Sequence, residues 1–350
     1  MSMLDARTEA WNREALMLPI WWQEDSLFLL DQRAFPFEKK VVHITDIDQL
    51  CKAIVSMQIR GSGAIGIAGA YGMYLASRSA KTCEDLESAA GKLIATRPTA
   101  INLRKTVEEI LQVSCNAQGD WRTKLEGSVV AILDRQLAFE RKLGSFGAAL
   151  LADGDSVLTH CNSGAYAGSG YGGRALSVLR SAWEQGKKIH VYVSETRPYL
   201  QGARITAFEL GQLGIPCTLI TDSSSAFLMR SGKIQKVVVG SDRVAGNGDL
   251  VNKIGTYMHA IAAHHHQIPF YTATSSHTID FSLATGDGCP IEFRNQEEVK
   301  HIQGVPIALK ETQALYPSFD ITPNELIAGI ITEKGVITAP YSQNLLVLNN

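Results

Sequence analysis

The chain lacks the cysteine spacing of a zinc site or of a disulfide framework. Its 350 residues include six cysteines, and no two of them form a CxxC pair. Most of these cysteines lie in apolar segments, where a cysteine behaves as a small hydrophobic residue. We therefore expect reduced thiols, and a chemical role for any one of them has to be argued from its surroundings.

An excess of charge and a membrane-spanning run are also absent. The formal net charge is −2 with both signs spread along the chain, so nucleic acid is not an expected partner. The weakly polar stretch 61–76 is shorter than the ~20 apolar residues that a bilayer span requires, which favours a buried helix and no membrane contact. The N-terminal sequence has no signal-peptide core. We expect a cytoplasmic protein.

Hydrophobic periodicity predicts two domains, 1–150 and 151–350. The first contains a helical lead-in, an antiparallel sheet built from strands at 26–31 and 40–45, and then helices at 47–58, 63–78, 83–96, 102–117 and 123–147. The second alternates apolar runs with helical stretches, which is typical of a parallel sheet with crossover helices. Its predicted strands cover 156–161, 188–195, 216–222, 236–242 and 268–274. The predicted fold class is α/β, a Rossmann-like domain preceded by a smaller domain with a short antiparallel sheet and helices.

Polar residues follow four of the predicted parallel strands. Cys161 and Asn162 close the first strand, Glu195-Thr196-Arg197 the second, Asp222 the third and Asp242-Arg243 the fourth. Ligands of open parallel sheets bind outside the carboxyl ends of the strands. We therefore expect these four strand ends to converge on one site.

A nicotinamide cofactor is not indicated. The sequence GSGYGG at 168–173 follows the first strand of the second domain, but its glycine spacing differs from the dinucleotide fingerprint. The second strand is not closed by an isolated acidic residue, because Glu195 is followed at once by Thr-Arg-Pro.

Several short stretches could bind an anion. Arg60-Gly61-Ser62-Gly63 opens a predicted helix, whose first N–H groups favour an anion, although a glycine turn with Ser62 as N-cap explains it equally well. Arg97 lies between two predicted helices, where a solvated arginine is the default interpretation. The stretch 197–204 and the pair Asn252-Lys253 add further donors near strand ends. Each is weak alone.

The triplet His264-His265-His266 does not predict a metal site. Adjacent histidines on a helix point in different directions, and no acidic or thiolate ligand follows at a suitable spacing. We interpret the triplet as a solvated helix end.

Longer motifs carry a family resemblance. SMQIRGSGAIGIAGAYG, RPTAINL, THCNSGA, ETRPYLQGARITAFEL, GSDRVAGNGDLVNKIGTY and FDITPNELIAGIITEKGVI occur in order from about Trp21 to Ala339. Taken together they resemble the methylthioribose-1-phosphate isomerase family, which shares its fold with the regulatory subunits of the exchange factor of eukaryotic translation initiation. The agreement is closer to the isomerases, because the motifs around Cys161 and Asp242 are both intact.

The resemblance implies a function and a set of residues. It implies conversion of 5-methylthioribose-1-phosphate to 5-methylthioribulose-1-phosphate in methionine salvage, by a homodimer with no metal or organic cofactor. Cys161 and Asp242 would be the catalytic pair. Contacts to the sugar phosphate would come from Arg60, Gly61, Ser62, Arg97, Gln201, Asn252 and Lys253.

The chemistry accounts for such a pair. A pentose with phosphate on its anomeric oxygen cannot open to a free aldehyde, so an acid must release the ring oxygen while hydrogen moves from C2 to C1. Asp242 is the candidate acid. It would have to stay protonated near neutrality, which burial in an apolar, water-poor cleft achieves by raising the pKa of a carboxyl group. Cys161 would be the base of an enediol route, or it would only stabilise the migrating centre of a hydride shift.

Differences from the usual sequence motifs of the family leave two alternative functions open. RGSGAIG replaces RGAPAIG, Tyr166 stands where a smaller aliphatic residue is usual, and Ser223-Ser224-Ser225 replaces Asn-Met-Ala. Recognition of the 5-substituent is affected most, so a 5-deoxyribose-1-phosphate isomerase is the nearest alternative enzyme. A non-enzymatic regulatory subunit is the second alternative, although it would not need Cys161 and Asp242.

Overall fold

A computed structural model describes residues 2–15, 17–98, 100–115 and 121–348. The chain forms two compact units. Unit 1 consists of Met1–Arg141 and Gly164–Gly173, and unit 2 of Lys142–Ser163 and Arg174–Asn350. The division into independent domains at residue 150 stays a prediction.

Unit 1 combines a three-stranded antiparallel sheet with helices, as the periodicity predicted. The strands lie in the order β1 (Ile20–Gln23), β2 (Ser26–Leu30) and β3 (Val41–Ile44), and β1 is an addition to the predicted pair. The helices are α1 (Met3–Ala15), α2 (Ile47–Val55), α3 (Ser62–Ser77), α4 (Cys83–Thr96), α5 (Ile101–Cys115) and α6 (Trp121–Ala148), of which α6 continues into unit 2.

Local signals explain where these helices begin. The Asp46 side chain accepts the Gln49 N–H at the start of α2, and Thr82 and Asp85 form a reciprocal capping box at the start of α4. Helix α3 is almost entirely buried, which confirms the interpretation of this weakly polar stretch. Among the described residues, no helix is long and apolar enough to span a membrane.

Unit 2 is built on a seven-stranded, mostly parallel sheet, which confirms the Rossmann-like prediction. Its strand order is β16-β15-β10-β7-β4-β5-β6, and only β16 runs antiparallel to its neighbour. The strands are β4 (Ser156–Thr159), β5 (His190–Ser194), β6 (Cys217–Ile220), β7 (Lys236–Val239), β10 (Phe270–Ala273), β15 (Gly329–Thr332) and β16 (Gly335–Ile337). The helices are α7 (Ala175–Glu184), α8 (Ala207–Gln212), α9 (Ser225–Arg230), α10 (Thr256–His265), α11 (Glu297–Lys300) and α12 (Tyr341–Asn344).

A smaller sheet, which the periodicity did not predict, follows β7. Its order is β11-β8-β9-β14, formed by β8 (Arg243–Ala245), β9 (Leu250–Lys253), β11 (Ile279–Asp280) and β14 (Phe319–Thr322). A hairpin of β12 (His301–Ile302) and β13 (Val305–Pro306) completes the strands of the described residues. Helix α10 begins after β9 and ends in exposed histidines, as expected for His264 and His265.

The expectation of reduced thiols is wrong for two cysteines. Cys83 at the start of α4 and Cys115 at the end of α5 form a disulfide, with Cα atoms 5.5 Å apart. The pair is separated by 32 residues along the chain, so only the packing of α4 against α5 brings the two sulfurs together. The other four cysteines are free thiols.

Candidate active site

The carboxyl ends of four neighbouring parallel strands carry the predicted polar residues. In the order β7-β4-β5-β6, Asp242 follows β7, Cys161 follows β4, Thr196 follows β5 and Asp222 comes after β6. Chain order runs outward from β4 through β5 and β6, then returns to β7 on the other side of β4. Cys161 and Asp242 therefore flank the switch point where open α/β sheets bind ligands, which agrees with the expected convergence.

Two threonine hydroxyl groups hold the backbone of Cys161. Its N–H donates to Thr196 Oγ1 at 2.8 Å, and its carbonyl oxygen accepts the Thr206 hydroxyl at 2.7 Å. The Cys161 backbone has φ 65°, in the left-handed region that non-glycine residues adopt rarely. The orientation of the half-buried thiol therefore depends on an unusual backbone conformation, which the two hydrogen bonds stabilise.

Gln201 contacts the Cys161 sulfur directly. Its Nε2 donates to Sγ at 3.2 Å, and the side chain is only 4% exposed. A π-helical turn, Gly202–Thr206, follows it, and such turns are frequent at functional sites. A Cβ at Gly202 would lie 1.8 Å from the Ser194 carbonyl oxygen, so only glycine lets this turn approach the end of β5. Only the family resemblance had selected Gln201.

Lys253 on β9 has the burial and the electrostatic contacts expected of a cation that binds the substrate. It is 6% exposed, its Nζ donates to the Ser318 carbonyl at 2.7 Å, and it lies 4.3 Å from the centre of the Phe319 ring. Burial lowers the pKa of Lys253, while the charges of Cys161 and Asp242 act in the opposite direction. The ammonium group therefore interacts electrostatically with both members of the predicted catalytic pair.

The neighbouring Asn252 is oriented inside unit 2. It is buried, and its Nδ2 donates to Thr256 Oγ1 at 3.0 Å. This bond fixes the amide plane at the start of α10. A contact between Asn252 and a substrate stays a prediction.

Asp242 lacks the burial that its role as an acid requires. Its side chain is exposed where the chain passes from β7 to β8. Its backbone N–H donates to the Val251 carbonyl at 3.1 Å and so ties it to β9. For Asp242 to act as an acid, the bound substrate itself would have to displace water from the carboxyl group.

Unit 1 holds the predicted phosphate contacts. Arg60 is buried and precedes Gly61, which has φ 94° and is the N-cap of α3; the alternative with Ser62 as N-cap is therefore wrong. A Cβ at Gly61 would lie 2.4 Å from Ala167, so glycine is required there. Ser62 Oγ accepts the Asn102 amide at 2.8 Å.

Arg97 lies in the same unit, after α4. Its Nη1 donates to the Met57 sulfur at 3.3 Å, a weak bond that a phosphate could replace. Arg60, Gly61, Ser62 and Arg97 belong to unit 1, whereas Cys161, Gln201 and Lys253 belong to unit 2. Their joint contact with one sugar phosphate stays a prediction.

Sequence reasoning missed the residues behind the thiol. Thr206 and His259 lie on helical segments and give no local signal of their own. His160 precedes Cys161 and reads as an ordinary inward-facing strand residue. Tyr316, which is 3% exposed, interacts electrostatically with Cys161 although it lies in an irregular segment far along the chain.

Two groups of side chains in the described residues have the composition of metal ligands. One is Cys83, Glu87 and Cys115, whose sulfurs form the disulfide; the other is His160, Asp222 and His259. In the second group, His259 Nε2 and His160 Nδ1 lie 3.2 Å apart, a hydrogen-bond distance. Hydrogen bonding within the protein thus accounts for both histidines.

Fold and site define a class of protein. Residues 58–339 match the model of the initiation factor 2 subunit family. The chain belongs to that family. The solved structures that it resembles include proteins named as translation initiation factors and one named as an isomerase.

Relatives place the chain more narrowly. A methylthioribose-1-phosphate isomerase of Chloroflexus aurantiacus is 46% identical over 332 residues, which cover 92% of this chain and 95% of that protein. The crystal structure of 5-methylthioribose 1-phosphate isomerase from Pyrococcus horikoshii OT3 matches with TM-score 0.90 and 36% identity, covering 95% of this chain and 96% of that one. A structure named as translation initiation factor eIF-2B, subunit delta, from A. fulgidus matches with TM-score 0.88 and 39% identity, covering 95% and 100%. These likenesses confirm the resemblance to the methylthioribose-1-phosphate isomerase family.

Proposed function

We propose that the chain is an aldose–ketose isomerase that converts 5-methylthioribose-1-phosphate to 5-methylthioribulose-1-phosphate in methionine salvage. The observation that carries the proposal is the Cys161 thiol at the switch point of the sheet, hydrogen-bonded by Gln201, with Asp242 on the adjoining strand end. Relatives with this name over almost the whole chain support the choice of substrate.

Asp242 and Cys161 take complementary roles in this proposal. Asp242 donates a proton to the ring oxygen as the bond between C1 and that oxygen breaks. Cys161, as a thiolate, removes the proton from C2, which leaves an enol phosphate. Cys161 then returns a proton to C1, and the ionised Asp242 accepts the proton of the C2 hydroxyl as the C2 carbonyl forms. Hydrogen has then moved from C2 to C1 and a proton from the C2 hydroxyl to the former ring oxygen, and both residues are back in their starting states.

The exposure of Asp242 adds a condition to this mechanism. A carboxylic acid in contact with bulk water is ionised near neutrality, and only exclusion of water by the bound sugar would favour its protonated form. Lys253 supplies a buried positive charge beside the pair and stabilises negative charge that develops on the thiolate or on the substrate. If the C2 hydrogen moves as a hydride instead, Cys161 only stabilises the migrating centre, and no solvent hydrogen enters at C1.

Each unit by itself offers donors of the kind that a sugar phosphate needs. The N-terminus of α3, with the buried Arg60 beside it, is suited to a phosphate, and Arg97 adds a second guanidinium group. Gln201, Asn252 and Lys253 would contact the sugar. We also propose a cytoplasmic homodimer that acts without a metal or an organic cofactor.

Exposed apolar side chains at one edge of unit 2 support the homodimer. Strand β6 is an edge strand, and Leu219 on it and Phe227 on α9 are 51% and 69% exposed. A second copy could cover them. Light scattering at micromolar concentration checks the mass, and a monomer would contradict this part of the proposal.

A turnover assay tests the function. Purified protein in EDTA is given 5-methylthioribose-1-phosphate, and formation of the ketose is followed by NMR. Cys161→Ala and Asp242→Asn should each abolish turnover while the circular dichroism spectrum and product binding are retained. A folded protein without turnover on this sugar or on 5-deoxyribose-1-phosphate would favour the alternative of a non-enzymatic regulatory subunit, because the chain is also similar to the A. fulgidus structure.

A further inference from the structure

A buried polar cluster lies directly behind the Cys161 loop in unit 2. It consists of His160, Thr196, Asp222, Ser225 and His259, and we call it the polar cluster. Four of these residues are at most 2% exposed, and Asp222 is half-buried. Polar side chains at this depth have to be satisfied by one another, so their hydrogen bonds determine one another.

The proton positions in the polar cluster follow from its geometry. His160 Nε2 lies 2.9 Å from the Ile254 carbonyl, which only accepts, so this nitrogen carries the hydrogen. In a neutral ring His160 Nδ1 is then an acceptor, and His259 Nε2 donates to it at 3.2 Å. His259 Nδ1 in turn accepts the Ser225 hydroxyl at 2.9 Å, in preference to the Asp222 carbonyl oxygen, which lies 3.3 Å from the same hydroxyl.

Both imidazole rings are neutral in this arrangement. Burial lowers the pKa of His160, against the opposing charge of Asp222, and burial lowers the pKa of His259 well below its usual range. While His259 Nε2 carries its hydrogen, protonation of His160 Nδ1 would place two N–H donors opposite each other. The neutral pair therefore forms one continuous chain of donors and acceptors, which leaves no ring nitrogen unsatisfied.

Thr196 connects the polar cluster to the thiol. Its Oγ1 accepts the Cys161 N–H at 2.8 Å, and its hydroxyl hydrogen is shared between the Ser194 carbonyl oxygen at 3.1 Å and His160 Nδ1 at 3.4 Å. Asp222 holds the threonine from the other side, because its carboxylate accepts the N–H groups of Thr196 and of Arg197, both at 2.8 Å.

The backbone shows why such support is required. Thr196 has φ 66° and Cys161 has φ 65°, so two hydrogen-bonded residues share the left-handed region. A β-branched residue adopts this region rarely, and it persists only where the surrounding structure determines it. Without Asp222 and Thr196 both strand ends would relax toward extended conformations, and the sulfur would move.

We propose that Thr196 is a positioning residue that sets the orientation of the Cys161 thiol, with Asp222 and the neutral His160–His259 pair holding Thr196 in place. The proposal rests on the proposed function in assigning Cys161 to the reaction. The polar cluster then affects the rate of the reaction as well as stability, because a displacement of about 1 Å at a reacting atom can lower the rate roughly a hundredfold.

Thr196→Val and Thr196→Ser form the matched pair for the test. Valine keeps the shape and branching and removes Oγ1, whereas serine keeps the hydroxyl. Thr196→Val should lower kcat by roughly tenfold to a hundredfold with KM within about threefold of the parent, and Thr196→Ser should stay within about threefold in both. Equal losses in both variants, or parental kcat in Thr196→Val, would overturn the proposal.

A second readout does not depend on isomerase activity. The rate at which iodoacetamide alkylates Cys161, followed by mass spectrometry of its peptide, should fall in Thr196→Val and return in Thr196→Ser. Alkylation of Cys51, Cys217 and Cys289 provides the internal control. If the protein shows no isomerase turnover but the alkylation pattern holds, the proposed function fails and the positioning role stands.

His259→Leu and His259→Gln extend the test in case Thr196→Val does not fold. Glutamine retains a side-chain N–H that can donate to His160, and leucine does not. Cys161 alkylation should slow in His259→Leu and recover in His259→Gln, and equal rates in both variants would count against the proposal. A stoichiometric divalent ion in the purified protein, lost in His259→Leu, would show that the two histidines bind metal and would overturn the hydrogen-bond assignment.

Discussion

The side-chain amide of Gln201 donates a hydrogen bond to the Cys161 sulfur across 3.2 Å. This contact links the end of β4 to the π-helical turn after β5. The other amide atom, Oε1, has no hydrogen-bond partner among the described residues. Gln201 can therefore stabilise a thiolate with one atom and accept a sugar hydroxyl with the other.

Replacement of Gln201 should affect thiol reactivity and turnover together. Gln201→Leu removes a donor to a group that is charged in the proposed mechanism, and such a bond contributes about 1.5 to 3 kcal/mol. We expect kcat/KM to fall by roughly tenfold to a hundredfold, and Cys161 alkylation at pH 7 to slow.

Gln201→Glu is the informative companion variant. It has nearly the same shape, but its ionised carboxylate repels a thiolate, so its Cys161 alkylation should be slower still. Alkylation at the parental rate in both variants would mean that the bond to the sulfur has no role in reactivity.

Much of this site was predictable from the sequence because parallel strands end at a common edge. The apolar runs located β4, β5, β6 and β7 to within a few residues, and the residues after them were therefore expected to meet. The helices α2 to α6 followed from their three- and four-residue spacing. Both inferences need only local patterns.

Other features depend on tertiary packing and left no local signal. His259 lies within α10 and meets His160 only because α10 packs next to the end of β4. The strands of the small sheet are only two to four residues long, too short for a periodic pattern. The exposure of Asp242 depends on which elements cover the segment between β7 and β8, and a motif does not specify them.

Phosphate recognition gives a second prediction. Arg97→Ala should weaken the binding of the ketose phosphate by about 1.5 to 3 kcal/mol, because a charge-assisted contact is lost. The Kd is measured by calorimetry, with the dephosphorylated ketose as a control ligand whose affinity should change little. An unchanged Kd for the phosphate would remove Arg97 from the binding site.

Lys253 should behave differently from Arg97. Its Nζ already donates to the Ser318 carbonyl and interacts with Cys161 and Asp242, so it belongs to the electrostatics of the reacting centre. Lys253→Met should lower kcat as well as affinity, whereas Arg97→Ala should act mainly on affinity. The split between kcat and KM in the two variants checks this, and a purely KM effect in Lys253→Met would contradict it.

Asp320 makes stability depend on pH. Burial raises the pKa of Asp320 to about 6, although its carboxylate accepts the N–H groups of Gly255 and Tyr257 at the start of α10. Because the folded-state pKa lies above the unfolded value, the favourable contribution of this group is complete below about pH 4 and is lost as pH rises through about 6.

Asp320→Asn should remove that pH dependence. Urea midpoints of unfolding are measured between about pH 4 and pH 7. As pH rises, the midpoint of the parent should fall relative to that of Asp320→Asn. Thr322→Val, at the end of β14, is a control, because its buried hydroxyl has no hydrogen-bond partner among the described residues and is not bonded to an ionisable group. A difference between parent and Asp320→Asn that stays constant across this range would contradict the raised pKa.

The last prediction concerns the 5-substituent of the sugar. A thioether needs only an apolar wall, and an apolar pocket discriminates against a ligand that lacks one such group by only about 1 to 3 kcal/mol. We therefore expect turnover of 5-methylthioribose-1-phosphate accompanied by some turnover of 5-deoxyribose-1-phosphate. Because Tyr166 is bulkier than the aliphatic residue that is usual there, its ring would favour the smaller 5-deoxy sugar if it narrowed the pocket for the 5-substituent. However, Tyr166 is 2% exposed and packs in the interior of unit 1, with its ring centre 4.8 Å from that of Phe35, which argues against this effect. Tyr166→Phe should accordingly leave the ratio of kcat/KM for the two sugars within about threefold of the parent.

Comparison of kcat/KM for the two sugars in the parent decides the assignment of the substrate. A preference for the 5-deoxy sugar of roughly a hundredfold or more would exceed what one such group contributes. The role in methionine salvage would then be wrong, while the isomerase chemistry would be retained.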